Sequence, residues 1–389
     1  MRIRHILALA ATAAALPAGL AAAAGTPQLT PLLMQAQDDP VPFKGSDGRR
    51  HLVYELGLTN FSSGPITVRR VQVLDGRGRA LLTYGPAAVA GRLQPGGERT
   101  ATATMKGSTQ ALLFVHVTLP AGAPVPRTLR HRITSVVAAA PPGRRTRTEV
   151  GGATPVDRQP VATIGPPLAG GGYVSADSCC DATRHTRAAL PVDGRVRVAQ
   201  RMAVDWEQLD AAGRIYDGPR ERLTSYTIFG KPVLAVADAR VVSTIDGEPE
   251  QVPGKFPAGI TLAQADGNAV VLDLGRSRYA LYAHMQPGSI RVKAGDRVRR
   301  GQVIGLVGNT GNSIAPHLHF HVMDGPSPLA SDGLPYEIDS YQVTGRGAGT
   351  AAFDRAEADG TPMPVAPVLP PTPVTDALPL DQLIIAFPG

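Results

Sequence analysis

Residues 301–323 read GQVIGLVGNTGNSIAPHLHFHVM. The end of this stretch alternates. In an extended chain successive side chains point to opposite faces, so His317, His319 and His321 share one side while Leu318 and Phe320 take the other. The two apolar residues then face a core, and the three imidazoles line a polar cleft. Three imidazoles in a row suit metal ligation or proton transfer, because imidazole binds zinc and titrates near neutrality. A polar strand face turned to water is the bland alternative. The glycines before the histidines mark places where the backbone must bend sharply. GNTGN is no phosphate loop, since it lacks the Lys-Ser/Thr ending and a following helix.

The same strand-and-turn texture extends outward. PVLAVADARVVSTI, NAVVLDL and RYALYAHM are rich in valine, isoleucine and tyrosine, and Asp-Gly or Gly-Asn pairs close the runs. Towards the N-terminus, HLVYELGLTNF, ITVRRVQVL, ALLFVHVTL and RHRITSVV are short runs between turn signals, as in an antiparallel sandwich. The expected fold class is mainly β: an N-terminal Ig-like β-sandwich over 30–140 and a second antiparallel β-sheet domain over 185–345. Dense Pro and Gly predict a linker over 141–180 and a Pro-rich tail over 349–389, whose LIIAF stretch is placed to pack back onto a domain.

Residues 1–24 put Arg2 and Arg4 before an alanine-rich apolar run that ends in small residues, the layout of a cleaved secretory signal peptide. A membrane anchor competes with this reading, but Pro17 and Gly19 break the run. The expectation is export, to the periplasm or beyond the cell, with no membrane span after cleavage. Removing that segment lowers the formal charge from +7 to +5. The charge is scattered, which gives nucleic-acid binding little support and is compatible with an anionic wall polymer. The only cysteines, Cys179 and Cys180, are adjacent, so they offer no long-loop disulfide.

Five histidines fall in the second domain: His185, His284, His317, His319 and His321. Here RMAVDW, KPVLAVADARVVSTI, YALYAHM and VKAGDRVRRGQVIGLVGNTGNSIAPHLHFHVM occur in the order found in the lysostaphin-type, or LytM-like, zinc metallopeptidases, and the chain resembles that family of peptidoglycan endopeptidases. The resemblance implies that Asp205 and His319 are zinc ligands. It implies that His317 and His284 flank a zinc-bound water, His317 taking its proton and His284 stabilising the oxyanion or hydrogen-bonding the water.

One departure stands out. Where the family has its first ligand, a histidine four residues before the aspartate, this chain has Arg201, whose guanidinium stays protonated and binds no zinc. His185 is the candidate third ligand, because a hairpin at Asp193-Gly194 would return the chain towards residue 201. His321 is a second candidate, better suited to orienting His319. The resemblance therefore implies a zinc metalloendopeptidase acting on peptidoglycan cross-bridges or other peptides. The alternative is a LytM-like module that has lost activity, binds the wall and activates other cell-wall hydrolases. Trp206, Tyr226 and Tyr282 read as packing or cleft wall, and the Pro-rich loop 246–266 as a roof over the cleft.

Overall fold

Alternating apolar residues build two sheets in the first part of the chain, for which the computed structural model describes residues 28–388 in all; the signal-like segment 1–24 lies outside the described residues. Arg50–Asn60 and Gln110–Leu119 pair antiparallel from Arg50↔Leu119 to Thr59↔Gln110 at the centre of one five-stranded sheet. Ile66–Asp75 lies between Ala80–Tyr84 and Thr128–Val137 in the second five-stranded sheet. Leu52, Leu56, Val71, Val73, Leu113 and Ile133 from the two sheets share one core. Burying each such side chain is worth about 1.5–3 kcal/mol, enough to make this shared face the main reason the sheets stack.

One polar group sits inside that core. His131 is fully buried; its Nδ1–H donates to the Gly152 carbonyl at 2.9 Å, and its Nε2 lies 2.7 Å from Tyr54 Oη on the opposite sheet. Burial pushes its pKa down to about 4, below the 6.5 of an exposed imidazole. The unfolded chain thus binds a proton that the folded chain refuses between those two values, so this contribution is complete above pH 6.5 and is lost as pH falls. Unfolding free energy should drop by about 2 kcal/mol from this group between pH 7.5 and pH 5. In urea melts at the two pH values, His131→Gln should be weaker at pH 7.5 yet lose less on acidification. A wild-type slope in the variant would remove His131 as the cause.

Two segments depart from expectation. Residues 141–180, expected as a linker, carry the strands Thr146–Pro155, Ala162–Ile164 and Gly170–Ala176. The first closes a sandwich edge, and the last is buried between two other strands of the second domain's sheet. The expected Pro-rich tail, 349–389, forms the helix Thr350–Asp359 and the strands Val365–Val374 and Leu383–Phe387. Proline lacks the N–H that a central strand must donate, but an edge strand bonds on one side only. Val365–Val374 is such an edge, pairing with Tyr341–Gly347 alone. LIIAF instead sits inside the sheet, between Gly170–Ala176 and Tyr341–Gly347.

The main sheet of the second domain has eleven strands among the described residues, and every pair in it is antiparallel. Its middle runs Asn268–Asp273, Tyr279–Met285, Leu318–Met323, Val204–Gln208, Gly170–Ala176. Trp206, Leu318, Phe320 and Tyr282 are fully buried on the core side. Tyr282 Oη also accepts the Val236 N–H at 2.8 Å, so that tyrosine is structural. Phe43 and Val53 of the first domain join this second core, which makes the two domains one packed body. Among the described residues no helix is long and apolar enough to cross a membrane.

Candidate metal centre and active site

In VDWEQ, Val204 and Trp206 turn into the core, which leaves Asp205 and Glu207 on the cleft side. Asp205 stands directly opposite His319 in the register of the two neighbouring strands. His319 Nδ1 lies 2.8 Å from Asp205 Oδ1, and His317 Nε2 lies 3.5 Å from the same oxygen. His185 reaches the other carboxylate oxygen, with Nε2 3.3 Å from Asp205 Oδ2. It comes from the single helical turn Thr183–Thr186, and its Nδ1–H is anchored on the Asp177 carbonyl at 2.8 Å. The donor atoms of His185, Asp205 and His319 all lie within 4.8 Å of one another.

His321 does not join that group. Its Nδ1 lies 2.9 Å from His319 Nε2, so it fixes the ring of His319 from behind. His284 closes the other side of the cleft. It adopts φ of +63°, a left-handed conformation costly for a residue with a side chain, and sits where the sheet register shifts. Its Nδ1–H donates to the Thr310 carbonyl at 2.7 Å. Thr310 in turn receives the Asn268 N–H on Oγ1 and donates to the Met285 carbonyl, so the GNTGN turn holds His284 in place. Gly311, at φ +73°, packs so closely on Gly267 that a Cβ there would lie 2.3 Å from its nitrogen. The rings of His284 and His317 are 4.7 Å apart between centroids.

Charges follow from this packing. Burial alone would lower the His185 pKa, but the Asp205 carboxylate outweighs it and pushes the imidazole up to about 9. Burial would raise Asp205, yet the surrounding imidazoles, His185 foremost, hold it well below the usual carboxylate range. Burial, reinforced by His317 and His319, keeps His284 neutral. Glu207 and Glu357 lie further along the same cleft, both raised first by burial, with the charge of Glu357 adding to the shift of Glu207.

Arg201 is not part of this site. It is buried and turned to the first domain, where Nε and Nη2 grip Glu55 at 2.6–3.1 Å, Nη2 reaches Asp38 at 2.8 Å and Nη1 donates to the Gly333 carbonyl at 3.0 Å. The predicted hairpin at Asp193-Gly194 exists, pairing Leu190–Val192 with Arg195–Arg197. Cys179 and Cys180 are bonded to each other. Phe256, on the loop expected as a roof, is exposed at the cleft wall, while Tyr226 is buried.

Residues 224–331 match the sequence profile of peptidase family M23. This stretch is an M23 peptidase domain. The M23 match contains His284, His317 and His319 but neither Asp205 nor His185, which lie before it. The chain is 46% identical over 57 residues to the peptidoglycan DD-endopeptidase ShyA of Vibrio cholerae, covering 15% of this chain and 13% of that protein. It is 32% identical over 109 residues to the glycyl-glycine endopeptidase ALE-1 of Staphylococcus capitis, covering 28% of this chain and 26% of that protein. The chain thus spans only 13% and 26% of the length of these two relatives. The catalytic domain of lysostaphin from Staphylococcus simulans aligns at 23% identity and a TM-score of 0.23, over 42% of this chain and 86% of that domain.

Around the M23 domain, four side chains escaped the sequence reading: Asp177, Arg184, Glu207 and Glu357. For Glu207 the signal was present, since it follows Asp205 by two residues on a strand. Glu357 gave none, lying in a segment read as a tail.

Proposed function

We propose that this chain is an exported zinc endopeptidase that hydrolyses peptide cross-links of peptidoglycan. The observation that supports it best is the convergence of His185, Asp205 and His319 beside His284 and His317. Two imidazoles and one carboxylate are a donor set suited to zinc, and the backbone carbonyl of Asp177 and the ring of His321 hold two of them in orientation. A zinc ion held there supplies Lewis acidity and brings the deprotonation of water near neutral pH. The names of the M23 relatives, a peptidoglycan DD-endopeptidase and a glycyl-glycine endopeptidase, support the substrate.

The chain's own residues divide the proton work. His317 donates Nδ1–H to the Ala315 carbonyl at 2.8 Å, which leaves Nε2 free to accept a proton on the cleft side next to Asp205. It takes the proton of the attacking water as the new C–O bond forms, with Asp205 stabilising the imidazolium, and returns it to the leaving nitrogen as the C–N bond breaks. His284, kept neutral and with Nδ1–H tied to Thr310, orients that water through Nε2.

The test is a digest of purified peptidoglycan and of casein by the zinc-loaded protein lacking residues 1–24, with and without chelator. Loss of cross-linked muropeptides, stopped by chelator and restored by zinc, is expected. Intact cross-links together with stimulation of a separate wall hydrolase would replace this reading by the activator module. Cleavage of casein alone would redirect the substrate to proteins.

A further inference from the structure

A second group of metal-type donors lies where the two domains meet: His51, His116 and Cys180, whose donor atoms all fall within 4.8 Å of one another. The two histidines stand on the paired strands Arg50–Asn60 and Gln110–Leu119, on the face turned away from the sandwich core that Leu52, Val115 and Val117 fill. Cys180 comes from the second domain, shortly after the strand Gly170–Ala176. His51 and Cys180 are buried, while His116 is partly exposed.

Each imidazole is oriented from behind by a carboxylate. His51 Nε2 lies 3.0 Å from Asp47 Oδ1, and His116 Nδ1 lies 3.1 Å from Asp181 Oδ2. Burial works to raise both acids, yet the hydrogen bonds from His51 and His116 hold them below the usual carboxylate range. The acids are therefore acceptors, and the ring nitrogens facing them carry the hydrogens. The other two nitrogens, His51 Nδ1 and His116 Nε2, are then lone pairs that face each other at 2.9 Å. Two acceptors so placed need a donor or a cation between them. Thr118 Oγ1, at 3.4 and 3.2 Å, has one hydrogen and meets only one of them. A shared proton is opposed on the His51 side, where burial lowers the imidazole pKa. An acid behind each ring and lone pairs converging in front is the arrangement that orients histidine ligands on a metal.

The third donor is tied up while Cys180 is bonded to Cys179, since the thiolate and not the disulfide sulfur is the strong ligand. We propose that His51, His116 and Cys180 form a second metal site, for a zinc-class ion, which opens when the Cys179–Cys180 bond is reduced and clamps the two domains together. A dithiol reductant supplies the electrons by exchange: its two thiols become a disulfide, the sulfurs of Cys179 and Cys180 each gain a hydrogen, and Cys180 releases its proton on binding the ion. Two imidazoles and a thiolate suit zinc, with bonds of about 2.0–2.1 Å to nitrogen and 2.3 Å to sulfur, and do not suit magnesium or calcium.

The test counts zinc on the purified protein before and after reduction by a phosphine. Reduction should add one zinc per chain, and because the count is a difference on one protein it stands whether or not the cleft holds zinc. Cys179→Ser, which leaves Cys180 a free thiol, should carry the added ion without reductant. Cobalt(II) in place of zinc should give both forms a thiolate-to-metal charge-transfer band. His116→Ala should lose the added ion and the band. Asp181→Ala, at a half-exposed position, keeps all three ligands and should weaken the added ion about 10–100-fold. No zinc gained when wild type is reduced overturns the site, and that comparison needs no variant to fold. A gain of unchanged affinity in the folded variants of His116 and Asp181 assigns the ion to the thiols alone and overturns it as well.

Discussion

His185→Ala is expected to purify without stoichiometric zinc and to cleave peptidoglycan more than about a hundredfold more slowly than wild type, because loss of a ligand exceeds the 10–100-fold typical of outer-shell changes. The ring is well placed for the role. Its Nδ1–H is spent on the Asp177 carbonyl, so Nε2, 3.3 Å from Asp205 Oδ2, is the nitrogen left to bind a metal. Asp205 pushes the imidazole pKa up to about 9, so at neutral pH the metal must displace a proton from it. Zinc binding should therefore release a proton and weaken by about tenfold per pH unit below 9, a slope that His185→Ala removes. Metal analysis of the purified proteins and zinc titration at several pH values measure both effects. Stoichiometric zinc in His185→Ala would exclude His185 as a ligand. Adding Arg201→His to that variant should not restore the metal, since residue 201 directs its side chain at Glu55.

Why His185 was only half legible follows from distance along the chain. The alternation in HLHFH and the Asp205 strand are local patterns, and local patterns decide the strand faces of His317, His319 and Asp205. His185 joins them through a single helical turn and a carbonyl anchor, neither of which leaves a periodic trace. The partner of Arg201 lies 146 residues away in the other domain, so the resemblance marks position 201 as a departure while the local sequence gives no sign of what the arginine holds. Proline density misled for a physical reason. It reports where N–H donors are absent, and both a linker and the outer side of an edge strand satisfy that condition. Val365–Val374 is the second case. Once that segment is in the sheet, the helix before it carries Glu357 into the cleft.

Arg201→Met should destabilise the protein by about 3–5 kcal/mol, the scale for removing one partner of a buried ion pair. Glu55 is 1% exposed and would be left a bare buried carboxylate; Asp332, 3.8 Å from the guanidinium, is almost as deeply buried, and Asp38 would also lose its ion pair. Burial alone would lower the Arg201 pKa, but the Glu55 charge outweighs it and raises it, so the guanidinium stays charged throughout. Glu55→Leu should cost less than Arg201→Met, because Arg201 keeps Asp38 and the Gly333 carbonyl as partners. The double variant should recover much of the loss, since replacing a buried pair by apolar side chains is often neutral. Urea unfolding of the two single variants and the double closes a cycle that isolates the pair. Strict additivity would reduce the contact to packing. Strong coupling would mean that the position where the resemblance expects a metal ligand instead fastens the first domain to the strand that carries Asp205, four residues further on.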